Sequence, residues 1–129
     1  MNWCISLKTK YAERILDGRK TIEIRTRLPK FLSKGDKIFV CTSGSCGQIH
    51  FSFRVRRKIL VDPKIAWKYY KDQMCISMVD YEKYVGGRSF VWLVDIEGLQ
   101  VYNPPRNISE FNMKRPPMWF ARVTKEVSL

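Results

Sequence analysis

Gly18-Arg19-Lys20-Thr21-Ile22-Glu23-Ile24-Arg25 is the stretch on which the fold of this chain turns. Before it, Tyr11, Ala12, Ile15 and Leu16 recur at helical spacing, and Gly18 stands where a left-handed cap ends a helix, at Asp17 or nearby. After it, Ile22 and Ile24 face one way while Thr21, Glu23, Arg25 and Arg27 face the other, the pattern of a strand with one polar face. A helix therefore hands over to a strand here. Glu23 and Arg25, two apart, point the same way, and Lys20 reaches them if the chain is still turning as it leaves the helix. A carboxylate between cations stays ionised and oriented at neutral pH. It suits the exocyclic amine of a base, with Arg25 or Lys20 engaging a phosphate or carbonyl. The same residues equally form an ordinary salt-bridge network worth about 0 to 1 kcal/mol per pair. Spacing leaves both readings open.

Outward from this junction, Trp3, Ile5 and Leu7 alternate with polar or small neighbours, predicting a strand from Asn2 to Leu7. Leu28 and Pro29 end the second strand. Lys34, Gly35 and Asp36 turn into a buried strand from Lys37 to Thr42, bounded by a flexible Ser43 to Gly47 segment that lacks Walker spacing. Ile49, Phe51, Phe53 and Val55 then oppose His50, Ser52, Arg54, Arg56 and Lys58, so one face of this strand belongs to the core and the other is cationic. Asp62 and Pro63 open a second helix, with Ile65, Ala66, Tyr69 and Tyr70 at helical spacing and an end near Asp72. Ser77 to Val85 adds a short helix, and Gly86 and Gly87 turn into Ser89 to Ile96, a strand apolar on both faces. From Leu99 onward, Pro104, Pro105, Pro116 and Pro117 predict ordered loops around a turn at Ser109 to Phe111, before a final strand from Trp119 to Lys125. The expectation is an α+β fold of five to six strands and two to three short helices, a single domain over residues 1–129.

Twenty-four Lys and Arg against twelve Asp and Glu leave a formal charge of +12, a field that attracts polyanions. Nucleic acid becomes the leading partner class. A basic surface serving only solubility is the plainer reading. No stretch approaches the roughly 18 apolar residues of a membrane span, and a cytosolic monomer is expected. Cys4, Cys41, Cys46 and Cys75 form no CxxC pair and His50 is the only histidine, so neither metal nor cofactor is expected and the cysteines read as small core hydrophobes.

Gly18, Lys20, Glu23 and Arg25 reproduce a GxKxxExR signature that resembles the ASCH domain. Residues 27–36, reading RLPKFLSKGD, and the closing Lys114, Arg115, Pro116, Pro117 and Phe120 extend the resemblance over nearly the whole chain. It implies a PUA-like mixed β-barrel with a cleft beside the first helix, where such domains bind RNA or related ligands. One compact bacterial branch consists of amidohydrolases acting on acetylated cytidine through a lysine, a threonine and a glutamate. Lys20 matches that lysine, whereas Glu23 occupies the threonine position and the stretch near Met74 and Cys75 offers no glutamate. Glu23 does not replace a hydroxyl nucleophile in the same geometry. Other relatives have been suggested to cut RNA, for which His50 with Lys20, Tyr11 or Glu23 supplies an acid and a base, although a lone histidine on a polar face is more often solvated.

The expected partner is accordingly RNA or a nucleotide or nucleoside. Lys20, Glu23 and Arg25 would form the cleft, Arg54, Arg56 and Lys58 would contact phosphates from one strand face, and Arg115 in the rigid Arg115, Pro116 and Pro117 segment, with Trp119 just after it, would also contact the ligand. Trp119 and one of Trp67, Tyr69 and Tyr70 are candidates for stacking bases. If the chain is an enzyme, Lys20 and Glu23 carry the chemistry. The plainer reading of Arg54, Arg56, Arg57 and Lys58 is a solvated edge strand guarded by charge.

Overall fold

The structure, a computed structural model, describes residues 1–43 and 47–124. Residues 44–46, within the expected flexible turn, and the end of the final strand at Lys125 lie outside them. The elements run β1 (Asn2–Leu7), α1 (Thr9–Leu16), β2 (Ile22–Arg25), β3 (Lys37–Thr42), β4 (Gln48–Val61), α2 (Pro63–Met74), α3 (Met78–Val85), β5 (Val91–Asn107), a 3-10 turn (Ile108–Phe111) and β6 (Ala121–Val123). One six-stranded mixed sheet has the order β2-β5-β4-β3-β1-β6. β1 and β3 are parallel, and the segment carrying α1 and β2 supplies the crossover that parallel neighbours require. The class is α+β, with six strands and three α-helices among the described residues.

The sheet is not closed into a barrel. Four-residue β2 pairs only with β5 and three-residue β6 only with β1, so among the described residues no ladder joins the two edges. β5 also runs much further than the expected Ser89 to Ile96, through Pro104 and Pro105. Prolines cannot donate to a ladder. Here they fall where β4 and β5 are out of step, because Phe51 faces Val101 while Ile49 faces Arg106, leaving the segment between those two positions unmatched. The final strand begins only at Ala121, because Trp119 and Phe120 pack against the core as the chain enters it.

Trp3, Ile5, Leu7, Val40, Phe51 and Phe53 build the core on one sheet face, covered by Ala12 and Ile15 of α1 and by Leu32 and Phe120. On the opposite face Ile22, Ile24, Val91 and Leu93 lie under Ala66 and Met74 of α2 and Tyr81 and Val85 of α3. Further along that face Cys4, Cys41, Phe39, Tyr102 and Phe111 cluster, with the Cys4 and Cys41 sulfurs 3.9 Å apart. Each large apolar side chain removed from water in this way stabilises the fold by about 1.5 to 3 kcal/mol. Cys75, by contrast, is the left-handed C-cap of α2, and Cys46 lies outside the described residues. No helix among the described residues is long and apolar enough to cross a membrane.

Candidate functional site

Gly18 adopts φ +84°, the left-handed conformation that favours glycine, and turns the chain from α1 toward β2. The turned segment is then tied down, because the Lys20 N–H donates to Arg14 O at 2.8 Å and the Thr21 N–H to Gln73 O at 2.9 Å. Lys20 is thereby carried inside, with 2% of its surface exposed. Its ammonium donates to Ile22 O and Met74 O, both at 2.8 Å, and lies 3.4 Å from Glu23 Oε1. An ammonium has three protons, and here each faces an acceptor. Burial pulls the Lys20 pKa below its ordinary value, while the Glu23 carboxylate works against that shift. With its protons directed this way, Lys20 is a clamp on the α2 terminus and on Glu23, not a free amine.

Glu23 is 6% exposed, and its other oxygen, Oε2, accepts from Arg25 Nε at 2.9 Å. Each carboxylate oxygen therefore has one cationic partner and lone-pair capacity for another donor. The Arg25 guanidinium lies 5.2 Å from the centre of the Phe120 ring, and its Nη groups hydrogen-bond no described residue. These side chains open into a cleft of about 370 Å³. Lys8 and Tyr11 wall one side, Glu23 and Arg25 form the floor, and Asp80 and Tyr84 of α3 close the other. The Tyr11 hydroxyl donates to Asp80 Oδ2 at 3.3 Å, and the Lys10 ammonium donates to the same oxygen at 2.8 Å. Burial raises the Tyr11 pKa, and the Lys10 hydrogen bond holds the Asp80 carboxyl below its ordinary range.

The other residues singled out from sequence are distributed. The ladder shifts between Val55 and Arg57, so Arg56 is unmatched and the strand's alternation reverses across it. Arg54 and Lys58 consequently lie on opposite faces, not on one cationic face. Arg54 donates to Gly35 O at 3.0 Å, remote from the cleft, and Arg57 pairs with Asp95. Lys58, matched to Val94 and through it to Glu23, shares the sheet face of the cleft and lies 5.6 Å from the Trp92 ring centre. Trp119 meets Phe120 edge-on at 5.6 Å and carries the Arg27 guanidinium 4.8 Å from its own ring centre. Arg115 is exposed beside a separate depression bounded by Lys114 and Asn107. Trp67 packs against Tyr81 with their rings tilted in the α2–α3 packing, while Tyr69 is exposed on α2, away from the cleft. His50 lies at another irregularity of β4 and does not line the cleft, so the acid–base set with Lys20, Tyr11 and Glu23 is not assembled. Among the described residues no group of three or more His, Cys, Asp or Glu side chains is placed to hold a metal ion.

Asp80, Tyr84 and Trp92 are additions that sequence reasoning missed. Asp80 and Tyr84, four apart on α3, have a helical spacing that puts them on one side, but nothing local says that this side meets α1.

The molecule is thus an α+β domain with a carboxylate–cation cleft where its first helix meets an edge strand. The family model described as "ASCH domain" matches residues 5–103, and the chain belongs to the ASCH domain family. Its fold is similar to that of the crystal structure of ASCH from Zymomonas mobilis, with a TM-score of 0.86 and 20% identity, over 96% of this chain and 88% of that one. A single-substitution variant of the same protein gives the same TM-score and identity over 96% of this chain and 89% of the other. The hypothetical protein PH0355 matches at a TM-score of 0.57 and 20% identity, over 75% of this chain and 98% of that one. No curated protein matches the sequence.

Proposed function

We propose that this ASCH domain binds single-stranded RNA, seating a base in the cleft at Glu23 and Arg25. The observation that carries this reading is the buried Glu23 carboxylate, held between Lys20 and Arg25 and facing an open cleft. Burying a carboxylate is expensive unless it is paired and hydrogen-bonded. Each Glu23 oxygen here has a cationic partner and keeps acceptor capacity toward the cleft, which suits an exocyclic amine. At about 370 Å³ the cleft falls within the range of small-ligand sites, and Tyr11 and Tyr84 offer aromatic walls. Lys8 and Lys83 at its rim, with the Nη groups of Arg25, suit phosphate, and the charge of +12 favours approach of a polyanion.

A hydrolase acting on an acylated nucleoside has less support. The Lys20 protons are already directed to carbonyls and to Glu23, and a base needs a free lone pair. The test is binding of a short labelled RNA, followed by fluorescence anisotropy at several salt concentrations. Arg25→Ala should weaken binding about tenfold, as loss of charge-assisted hydrogen bonds does. Lys71→Ala, on the exposed side of α2, should change it little. Affinity indifferent to salt and to Arg25 overturns the reading.

A further inference from the structure

Beyond the cleft, cations lie over aromatic rings in an unbroken series. Arg25 sits over Phe120, Phe120 packs edge-on against Trp119, and Arg27 sits over Trp119. On the other side of Arg25 the sheet continues the series. Arg25 on β2 is matched directly to Trp92 on β5, and Lys58 of β4 lies over the Trp92 ring. Lys58 occupies this face only because the irregularity at Arg56 reverses the alternation of β4. Glu23, Arg25, Trp92 and Lys58 therefore share one sheet face within two strand spacings, about 10 Å. Among the described residues neither Arg27 nor Lys58 pairs with a carboxylate, unlike Arg57, Arg106 and Lys10. Trp92 and Trp119 are only partly buried, so each keeps part of its side chain accessible to a ligand.

We infer that this ribbon is the track of a nucleic-acid strand, so that the ligand is an oligonucleotide and not a free nucleoside, with Trp92 and Trp119 stacking the bases on either side of the one in the cleft. The inference rests on the cleft's proposed role in binding a base and extends it in two directions. A tryptophan face accepts any base, and an adjacent cation on a flexible stem moves from the ring to the phosphate of the nucleotide that displaces it. Arg25 is the centre of the track, because it touches Glu23, Phe120 and the position opposite Trp92. The cleft selects a base, whereas the tryptophans add affinity without reading sequence.

The experiment compares a nucleoside monophosphate with a five-nucleotide RNA containing the same base, titrated calorimetrically into the full chain and its variants. Wild-type protein should bind the pentanucleotide at least about tenfold more tightly than the monophosphate, since each stacked base contributes on that order. Trp92→Ala should weaken the pentanucleotide about tenfold and leave the monophosphate unchanged, and Trp92→Phe should restore most of the loss. Lys58→Gln, which conserves the sheet, should move the pentanucleotide alone. Equal affinity for the two ligands, or pentanucleotide binding insensitive to both Trp92→Ala and Lys58→Gln while Arg25→Ala still weakens it, overturns the track and leaves the cleft standing. Failure of wild-type protein to bind either ligand overturns both readings.

Discussion

Lys20 carries a positive charge into the interior and surrounds it with Ile22 O, Met74 O and Glu23. Lys20→Met keeps much of the side-chain volume but strands two carbonyls and leaves Glu23 to Arg25 alone. Removing one partner of a buried pair costs about 3 to 5 kcal/mol, and urea unfolding of this variant should show a loss in that range. Asp36 is a second buried charge. Burial alone raises its pKa, but hydrogen bonds from Trp3 Nε1, the Met1 amine and the Ser33 N–H outweigh burial and hold it below its ordinary value. A carboxylate depressed in the folded state contributes stability above its unfolded pKa and loses it as pH falls through the folded value. Thermal melting should therefore fall on acidification from about pH 4 downward. Asp36→Asn should lower stability at neutral pH and flatten that acid limb. The motif residues Lys20, Glu23 and Arg25 were legible in the sequence because a helix cap and a two-residue strand period fix their relative directions. Asp36 showed only as a turn residue, since Trp3 reaches it across a parallel strand pair.

Elements with local signals were readable to within a residue or two. α2 is announced by Asp62 and Pro63, and the Asp62 carboxylate accepts from the Lys64 N–H at 2.7 Å. Asp62→Ala should destabilise the protein by about 1 kcal/mol, measurable by chemical denaturation, because it removes that cap. Long strands were harder. The alternation in Ile49 to Lys58 is regular on paper, yet the ladder of β4 against β5 shifts three times, and the shift between Val55 and Arg57 reverses the β4 side chains beyond it. The consequence is functional, since it parts Arg54 from Lys58. Pro104 and Pro105 misled in the opposite direction, because a proline disqualifies a strand only where the partner strand needs its N–H.

At the scale of the molecule, a charge of +12 says that a polyanion is attracted, not where it lies. The structure divides the cations into those spent on carboxylates, such as Arg57 and Arg106, and those stacked on rings, such as Arg27 and Lys58. If Arg25, Arg27 and Lys58 each meet one phosphate, log affinity for single-stranded RNA should fall against log salt with a slope of about −2. Fourfold more salt should then weaken binding by a factor on the order of fifteen, and Lys58→Gln should make the slope shallower. Sequence alone determined the fold class, the order of helices and strands up to Ile96, and the motif at the first turn, because caps, glycines and hydrophobic periods act within a few residues. Tertiary structure alone decided that the sheet stays open at its two short edge strands, that α3 brings Asp80 to α1 and Tyr84 to Thr26 just after β2, and that Trp92 stands beside Arg25. Those facts depend on strand order and register, which arise from contacts between residues distant in the chain and leave no local pattern to read.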